Sequence, residues 1–201
     1  MSRFWFDEEA VKIGIRAFIA IELPAKLIEA LGAVETELKA SLRAAKGWVR
    51  PENIHLTVRF LGDVDEKMLP DITVGLKKAA QEHKPFTLSA GGVGGFPGLR
   101  APRVLWVGVK ESPELQRLHQ NIEDRLLAEG FAKEQRPFKA HLTFLRIKAP
   151  EDGALAGAAV QKLKHEINMD FYVDSFVLFK SHLNPKGAEH RIIERIKLQG
   201  A

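Results

Sequence analysis

The chain contains no cysteine, which excludes disulfides, thiolate nucleophiles and zinc–thiolate centres and leaves His, Ser, Thr, Lys and carboxylates for any chemistry. No apolar run approaches the ~20 residues that a membrane-spanning helix requires. The opening stretch MSRFWFDEEAVKIG carries acids where a secretory leader would need a basic and then an apolar region, so a cytoplasmic protein without membrane attachment is expected. There is also no Lys/Arg tract of five or more. The net charge of +4 is a mild basic excess, compatible with a phosphate-bearing partner such as RNA and equally with a basic surface of no special role. Several motifs are missing as well. The absence of HxH, of HExxH and of an acidic cluster beside the histidines of interest argues against a metal site, and the absence of GxSxG argues against a Ser-His-Asp hydrolase.

What is present is an ordinary globular composition, 45% hydrophobic and 28% charged over 201 residues, enough for one sizeable domain. RAFIAIEL (16–23) reads as a buried strand, and Pro24 can open the helix that follows over 25–45, where Leu27, Leu31, Val34, Leu38 and Leu42 recur at helical spacing. NIHLTVRF (53–60) is a strand, GDVDEKML a turn with an Asp65 cap, and 66–82 an amphipathic stretch. A strand near 85–93 leads into GGVGGFPGLRAPR. That segment lacks GxxxxGK[ST], and Pro97 interrupts any GxGxxG spacing, so it reads as a turn and chain crossing between lobes rather than a phosphate loop. Then come a strand at 103–109, a helix from Ser112 to Glu129 ended by Gly130, a strand KAHLTFLRI (139–147), and a short helix near 154–166. Two strands, DFYVDSFVLFKS and HRIIERIKL, finish the chain. The order nearly repeats itself. It predicts an α+β fold of two pseudo-symmetric lobes, each an antiparallel sheet backed by helices, with a central cleft.

The repeat carries a motif. His-x-Thr occurs at His55–Thr57 and again at His141–Thr143, each within a strand of matching context. Side chains alternate along a strand, so Ile54, Leu56, Val58 and Phe60 are expected on the core face, with His55, Thr57 and Arg59 on the other. Likewise Leu142 and Phe144 point inward, away from His141 and Thr143. With five Thr in the chain, two such coincidences among seven His amount to roughly a 1 in 70 event. Either motif alone is more often structural, a half-buried His and Thr satisfying each other or a neighbour. Two in matching lobes favour a shared cleft. There, one neutral imidazole can deprotonate an attacking oxygen and one imidazolium can protonate a leaving oxygen, while the hydroxyls donate to non-bridging phosphate oxygens. The remaining histidines (83, 119, 165, 182 and 190) lack this context and are expected mostly at the surface.

RAFIAIELP, HLTVRFLG, FPGLRAPRVLWVGV, RPFKAHLTFLR and SHLNPKGAEH together resemble the 2H phosphoesterase superfamily, and within it the bacterial and archaeal RNA 2′,3′-cyclic phosphodiesterases, historically called 2′-5′ RNA ligases. The resemblance runs from Arg16 nearly to the end. It implies a single bilobal domain over 16–201, with residues 1–15 as an N-terminal extension, and a metal-independent enzyme without cofactor that opens RNA 2′,3′-cyclic phosphate ends to 2′-phosphomonoesters. His55 is then the proton donor, His141 the proton acceptor, and Thr57, Thr143 and Arg146 bind the phosphate. The implied partner is RNA with a 2′,3′-cyclic phosphate end, or a small cyclic nucleotide, and the implied state a monomer; weak reversible 2′-5′ ligation follows by microscopic reversibility. Strict alternation would put Arg146 on the face opposite His141, so its role requires the strand to twist, bulge or end first. His190 stands where the family often has Tyr, which weakens any base-stacking role there. The alternative is a non-catalytic nucleotide- or RNA-binding module using the same cleft.

Overall fold

The computed structural model describes residues 14–184 and 187–200. The N-terminal extension expected over 1–15 lies outside the described residues as far as residue 13, and Gly14 and Ile15 already belong to the first strand, β1 (Gly14–Ile21). Pro24 ends that strand and opens α1 (Ala25–Ser41), where Leu27, Leu31, Val34 and Leu38 are buried as their spacing predicts. The helix stops short of the expected residue 45. Beyond it Gly47 takes φ 102°, and a Cβ there would lie 2.1 Å from the Arg146 carbonyl oxygen. Only glycine permits that approach, and it lets Arg146 N donate to Gly47 O (2.9 Å) while Val49 N donates to Phe144 O (2.9 Å).

Strand β2 (Leu56–Asp65) carries the first motif. It runs through the expected turn residues because Gly62 supplies φ 74°, and Asp65 still caps the next turn by accepting from Lys67 N at 2.9 Å. Helix α2 (Leu69–Gln81) leads to β3 (Phe86–Phe96). The glycine-rich stretch expected as a crossing between lobes is thus mostly strand. It ends in a hairpin to the adjacent β4 (Val104–Val109), so it stays within one lobe. Glycines here let the β4 side chains lie close, since a Cβ on Gly94 would meet the Trp106 ring at 2.2 Å. Helix α3 (Pro113–Ala128) begins on Ser112, whose side chain accepts from Leu115 N. β5 (His141–Arg146) carries the second motif and is followed by α4 (Asp152–Gln161), shorter than expected. The single strand expected at DFYVDSFVLFKS is two, β6 (Asn168–Val173) and β7 (Ser175–Asn184), broken at Asp174; β8 (Gly187–Lys197) closes the chain.

Among the described residues these strands form one antiparallel sheet in the order β6-β3-β4-β5-β2-β1-β7-β8. It consists of two four-stranded halves joined where Leu56 lies opposite Leu142. The halves are not successive parts of the chain. β3 joins the half containing β4, β5 and β6, and β7 and β8 return to β1, so one lobe is inserted within the other. The main core, with Leu27, Ile72, Leu118, Phe144 and Phe176, fills the space between sheet and helices. A small second cluster, Phe18, Ala20, Val177 and Phe179, lies on the opposite face. No helix among the described residues is long and apolar enough to cross a membrane.

Candidate active site

The joint between the halves is also the centre of the site. Leu56 and Leu142 are the middle residues of the two motifs, and both are fully buried. With antiparallel pairing there, His55 falls opposite Thr143 and Thr57 opposite His141. Each lobe's imidazole therefore lies beside the other lobe's hydroxyl, on the sheet face away from the helices.

The two imidazoles are held in the same way. His55 Nδ1 donates to Asn53 O (2.7 Å), and His141 Nδ1 donates to Lys139 O (2.6 Å). A carbonyl only accepts, so the hydrogen is on Nδ1 in both rings and Nε2 is left free to take or give a proton. Burial is the main reason that both pKa values lie below the ordinary 6.5, against the effect of those backbone bonds. His55 is pushed down to about 4, with His190, Arg146 and His141 contributing like-charge repulsion. His141 is lowered by burial and by Arg146. The surroundings account for the difference between the rings. Phe18 stacks on His55 at 4.8 Å between ring centroids, and His190 meets it edge-on at 5.3 Å. His141 contacts Phe96 edge-on at 5.0 Å and Trp106 at 6.3 Å.

Arg146 reaches the cleft through a bulge. Thr143 pairs with Trp106 but Leu145 pairs with Leu105, which leaves Phe144 as an extra residue and reverses the alternation beyond it. Phe144 and Leu145 are both buried, and Arg146 returns to the side of His141, close enough for its charge to lower the pKa of both imidazoles. Arg146 is itself lowered, chiefly by burial and then by Arg16, the β1 residue two before Phe18.

The first lobe has the same device. Thr57 pairs with Ala20 and Arg59 with Ile19, so Val58, again the residue after the motif threonine, is extra. This corrects the expected faces of the next two residues. Phe60, expected in the core, is 50% exposed and meets Phe18 at 5.9 Å on the cleft side. Arg59, expected beside His55, turns to the helix side and pairs with Glu123 of α3; it also donates to Ala132 O at 2.6 Å. Phe60 is the counterpart of Arg146, each five residues after its motif histidine. Of the histidines expected at the surface, His165 and His182 are exposed, while His190 is half-buried against His55. A strand pattern shows neither the bulges nor His190's approach across β7 to β1.

This two-lobed α+β fold is the fold of the 2H phosphoesterases. A family model described as the 2′-5′ RNA ligase superfamily matches residues 24–185, and the chain belongs to that family. It is 37% identical over 86% of its length to an RNA 2′,3′-cyclic phosphodiesterase of Archaeoglobus fulgidus, covering 94% of that protein. A Thermotoga maritima protein of the same name is 30% identical, with 92% of this chain and 97% of that protein covered. Among solved structures, one from Thermus thermophilus superposes with TM-score 0.77 at 29% identity, covering 92% of this chain and 99% of that one. LigT of E. coli, solved with 3′-AMP, shares the fold with TM-score 0.68 at 24% identity, covering 92% and 98%.

Proposed function

We propose that the protein hydrolyses RNA 2′,3′-cyclic phosphate ends to 2′-phosphomonoesters, using His55 and His141 without a metal ion. The observation that carries this reading is the matched pair of imidazoles, each fixed through Nδ1 to the carbonyl two residues before it, so that Nε2 is left for proton transfer, with the other lobe's threonine opposite in register. The relatives named RNA 2′,3′-cyclic phosphodiesterase supply the substrate class.

With the cyclic phosphate between the rings, His141 Nε2 takes a proton from water as its oxygen attacks phosphorus in line with the P–O3′ bond. That bond breaks, and His55 Nε2 gives a proton to O3′. Each transfer is typically worth about 10² to 10⁴ in rate. Thr57, Thr143 and Arg146 donate to the non-bridging oxygens as charge builds there. Before substrate binds, both rings are neutral near pH 7, so the donor must gain its proton with substrate in place. The phosphodiester monoanion favours this, since it offsets Arg146 and stabilises an imidazolium. Because His55 is held at about 4, the donor role assigned to it requires the bound substrate to favour the imidazolium there over His141. Phe60, 50% exposed and packed beside Phe18, offers a ring face for a base near His55. Replacing the attacking water by a 5′-hydroxyl would give weak 2′-5′ ligation.

The test uses an RNA oligonucleotide ending in 2′,3′-cyclic phosphate, incubated with EDTA and the wild type, His55→Ala or His141→Ala. A 2′-phosphate product formed by the wild type and lost in both variants is expected. A wild type that leaves the cyclic end intact refutes the reading.

A further inference from the structure

The two imidazoles are tethered alike, but the carbonyls that tether them are secured differently. Lys139, whose carbonyl holds His141, lies between two residues fixed within their own lobe. Phe138 stacks on His119 of α3 at 4.2 Å between ring centroids, and Ala140 O accepts from Val109 N of the adjacent β4 at 3.3 Å. Asn53, whose carbonyl holds His55, ends the short turn Pro51–Asn53. The main-chain bonds there, Asn53 N to Arg50 O (2.8 Å) and Ile54 N to Pro51 O (3.1 Å), are internal to the turn, and none of its three residues is buried. A side chain joins this turn to the last strand: Asn53 Nδ2 donates to Ala188 O of β8 at 2.8 Å. In the sheet β8 is separated from β2 by β1 and β7, so this one bond reaches past two strands. The same strand brings His190 to 5.3 Å from His55.

Asn53 therefore carries both ends of a link, its carbonyl to His55 and its amide to β8. A carbonyl orients an imidazole only as well as it is itself held, and the bond at Nδ1 decides which nitrogen of the neutral ring carries the hydrogen. When His55 gives its Nε2 proton to O3′, the neutral ring that remains has its hydrogen on Nδ1, the form that the Asn53 carbonyl stabilises. The same bond holds the His55 pKa up against the effect of burial, which favours a ring able to gain a proton. We propose that Asn53 is a positioning residue for the general acid: through its amide bond to Ala188 it fixes the carbonyl that sets the orientation and the tautomer of His55. It acts through His55 rather than on the substrate. This rests on the phosphodiesterase reading above, in which His55 is the proton donor, and adds to it the element that keeps that donor in place.

The experiment compares the wild type with Asn53→Ala, which removes the amide, and Asn53→Gln, which keeps an amide donor on a longer side chain. Each is assayed on an RNA ending in 2′,3′-cyclic phosphate and on an aryl phosphodiester whose leaving group needs no proton. In Asn53→Ala, kcat on the RNA should fall about three- to tenfold with KM changed less than twofold, a loss well short of that in His55→Ala. Activity on the aryl substrate should be retained, which also shows that the variant is folded, and Asn53→Gln should recover most of the lost kcat. Nitrogen-15 NMR of protein labelled in its histidines gives a second readout at a pH where both rings are neutral. His55 should carry its hydrogen on Nδ1 in the wild type and divide between the two nitrogens in Asn53→Ala, while His141 stays on Nδ1 in both. An unchanged kcat, equal losses on the two substrates, or a His55 that keeps its hydrogen on Nδ1 in Asn53→Ala overturns the proposal and leaves the phosphodiesterase reading intact. A wild type that leaves the cyclic end intact refutes that reading, and this proposal with it.

Discussion

Replacing Arg146 by glutamine retains a hydrogen-bond donor, on a shorter side chain, and removes one positive charge from beside the two imidazoles, and that change has two separable effects. The first is lost phosphate binding. A hydrogen bond to a charged group contributes about 1.5–3 kcal/mol, so kcat/KM should fall about 10- to 150-fold. The second is on the pH profile. The guanidinium lowers the pKa of both His55 and His141, so removing it raises both. For a general acid to act from the free enzyme it must be protonated, so kcat/KM declines as pH rises through the pKa of the donor. In the wild type that decline starts below the ordinary histidine value of 6.5, because burial and Arg146 depress both rings. In Arg146→Gln it moves to higher pH, and the variant loses less activity at alkaline than at acid pH. The apparent values belong to the imidazole pair rather than to either ring. Initial rates at substrate concentrations below KM, taken across about pH 4 to 9 at constant ionic strength, measure both effects. An alkaline limb that stays in place, or moves to lower pH, would show that Arg146 does not face the two imidazoles and that the Phe144 bulge does not turn it into the cleft.

The donor and acceptor roles can be separated with an aryl phosphodiester whose leaving group needs no proton: His55→Ala should retain most activity on it and His141→Ala should not. The opposite pattern exchanges the two roles. Phe60→Ala should reduce kcat/KM for nucleotide substrates about 5- to 100-fold if a base stacks on it, and leave a base-free cyclic phosphodiester unaffected. Equal losses on both substrates would sink the stacking role. Arg59 and Glu123, with side chains 10% and 5% exposed, join β2 to α3 behind the site. Glu123→Gln removes the buried partner of Arg59 and leaves only the more exposed Glu134, at 3.3 Å, opposite its charge; urea unfolding should show a loss of at most about 3 kcal/mol, with activity retained in whatever protein stays folded.

The sequence was informative where local periodicity and motif chemistry point the same way. The spacing of Leu27, Leu31, Val34 and Leu38 defined α1, Ser112 and Gly130 bounded α3, and the two His-x-Thr copies identified strands at the centre of one sheet. Beyond the motif threonines the reading failed, because strand alternation assumes an unbroken ladder. An extra residue at Val58 sent Arg59 and Phe60 to the faces opposite those expected, and the matching one at Phe144 brought Arg146 in. Bulges depend on pairing with β1 and β4, which no local pattern records. For the same reason the glycines of β3 read as a connection: their missing side chains make room for Trp106, a residue on another strand. The contact of His190 with His55 was not legible because it exists only once β8 has paired with β7.

The insertion of one lobe within the other also sets an order of assembly during synthesis. Strands β3 to β6 lie within residues 86–173, so that half of the sheet can pair as soon as it leaves the ribosome. β1 and β2 emerge earlier and can pair with each other, but the pairing of β1 with β7 is of high sequence separation and slow to form. His141 therefore has its aromatic neighbours while His55 still lacks Phe179 and His190. A nascent chain stalled after residue 173 carries both histidines and Arg146, and the last hairpin adds the Phe179 and His190 that close around His55.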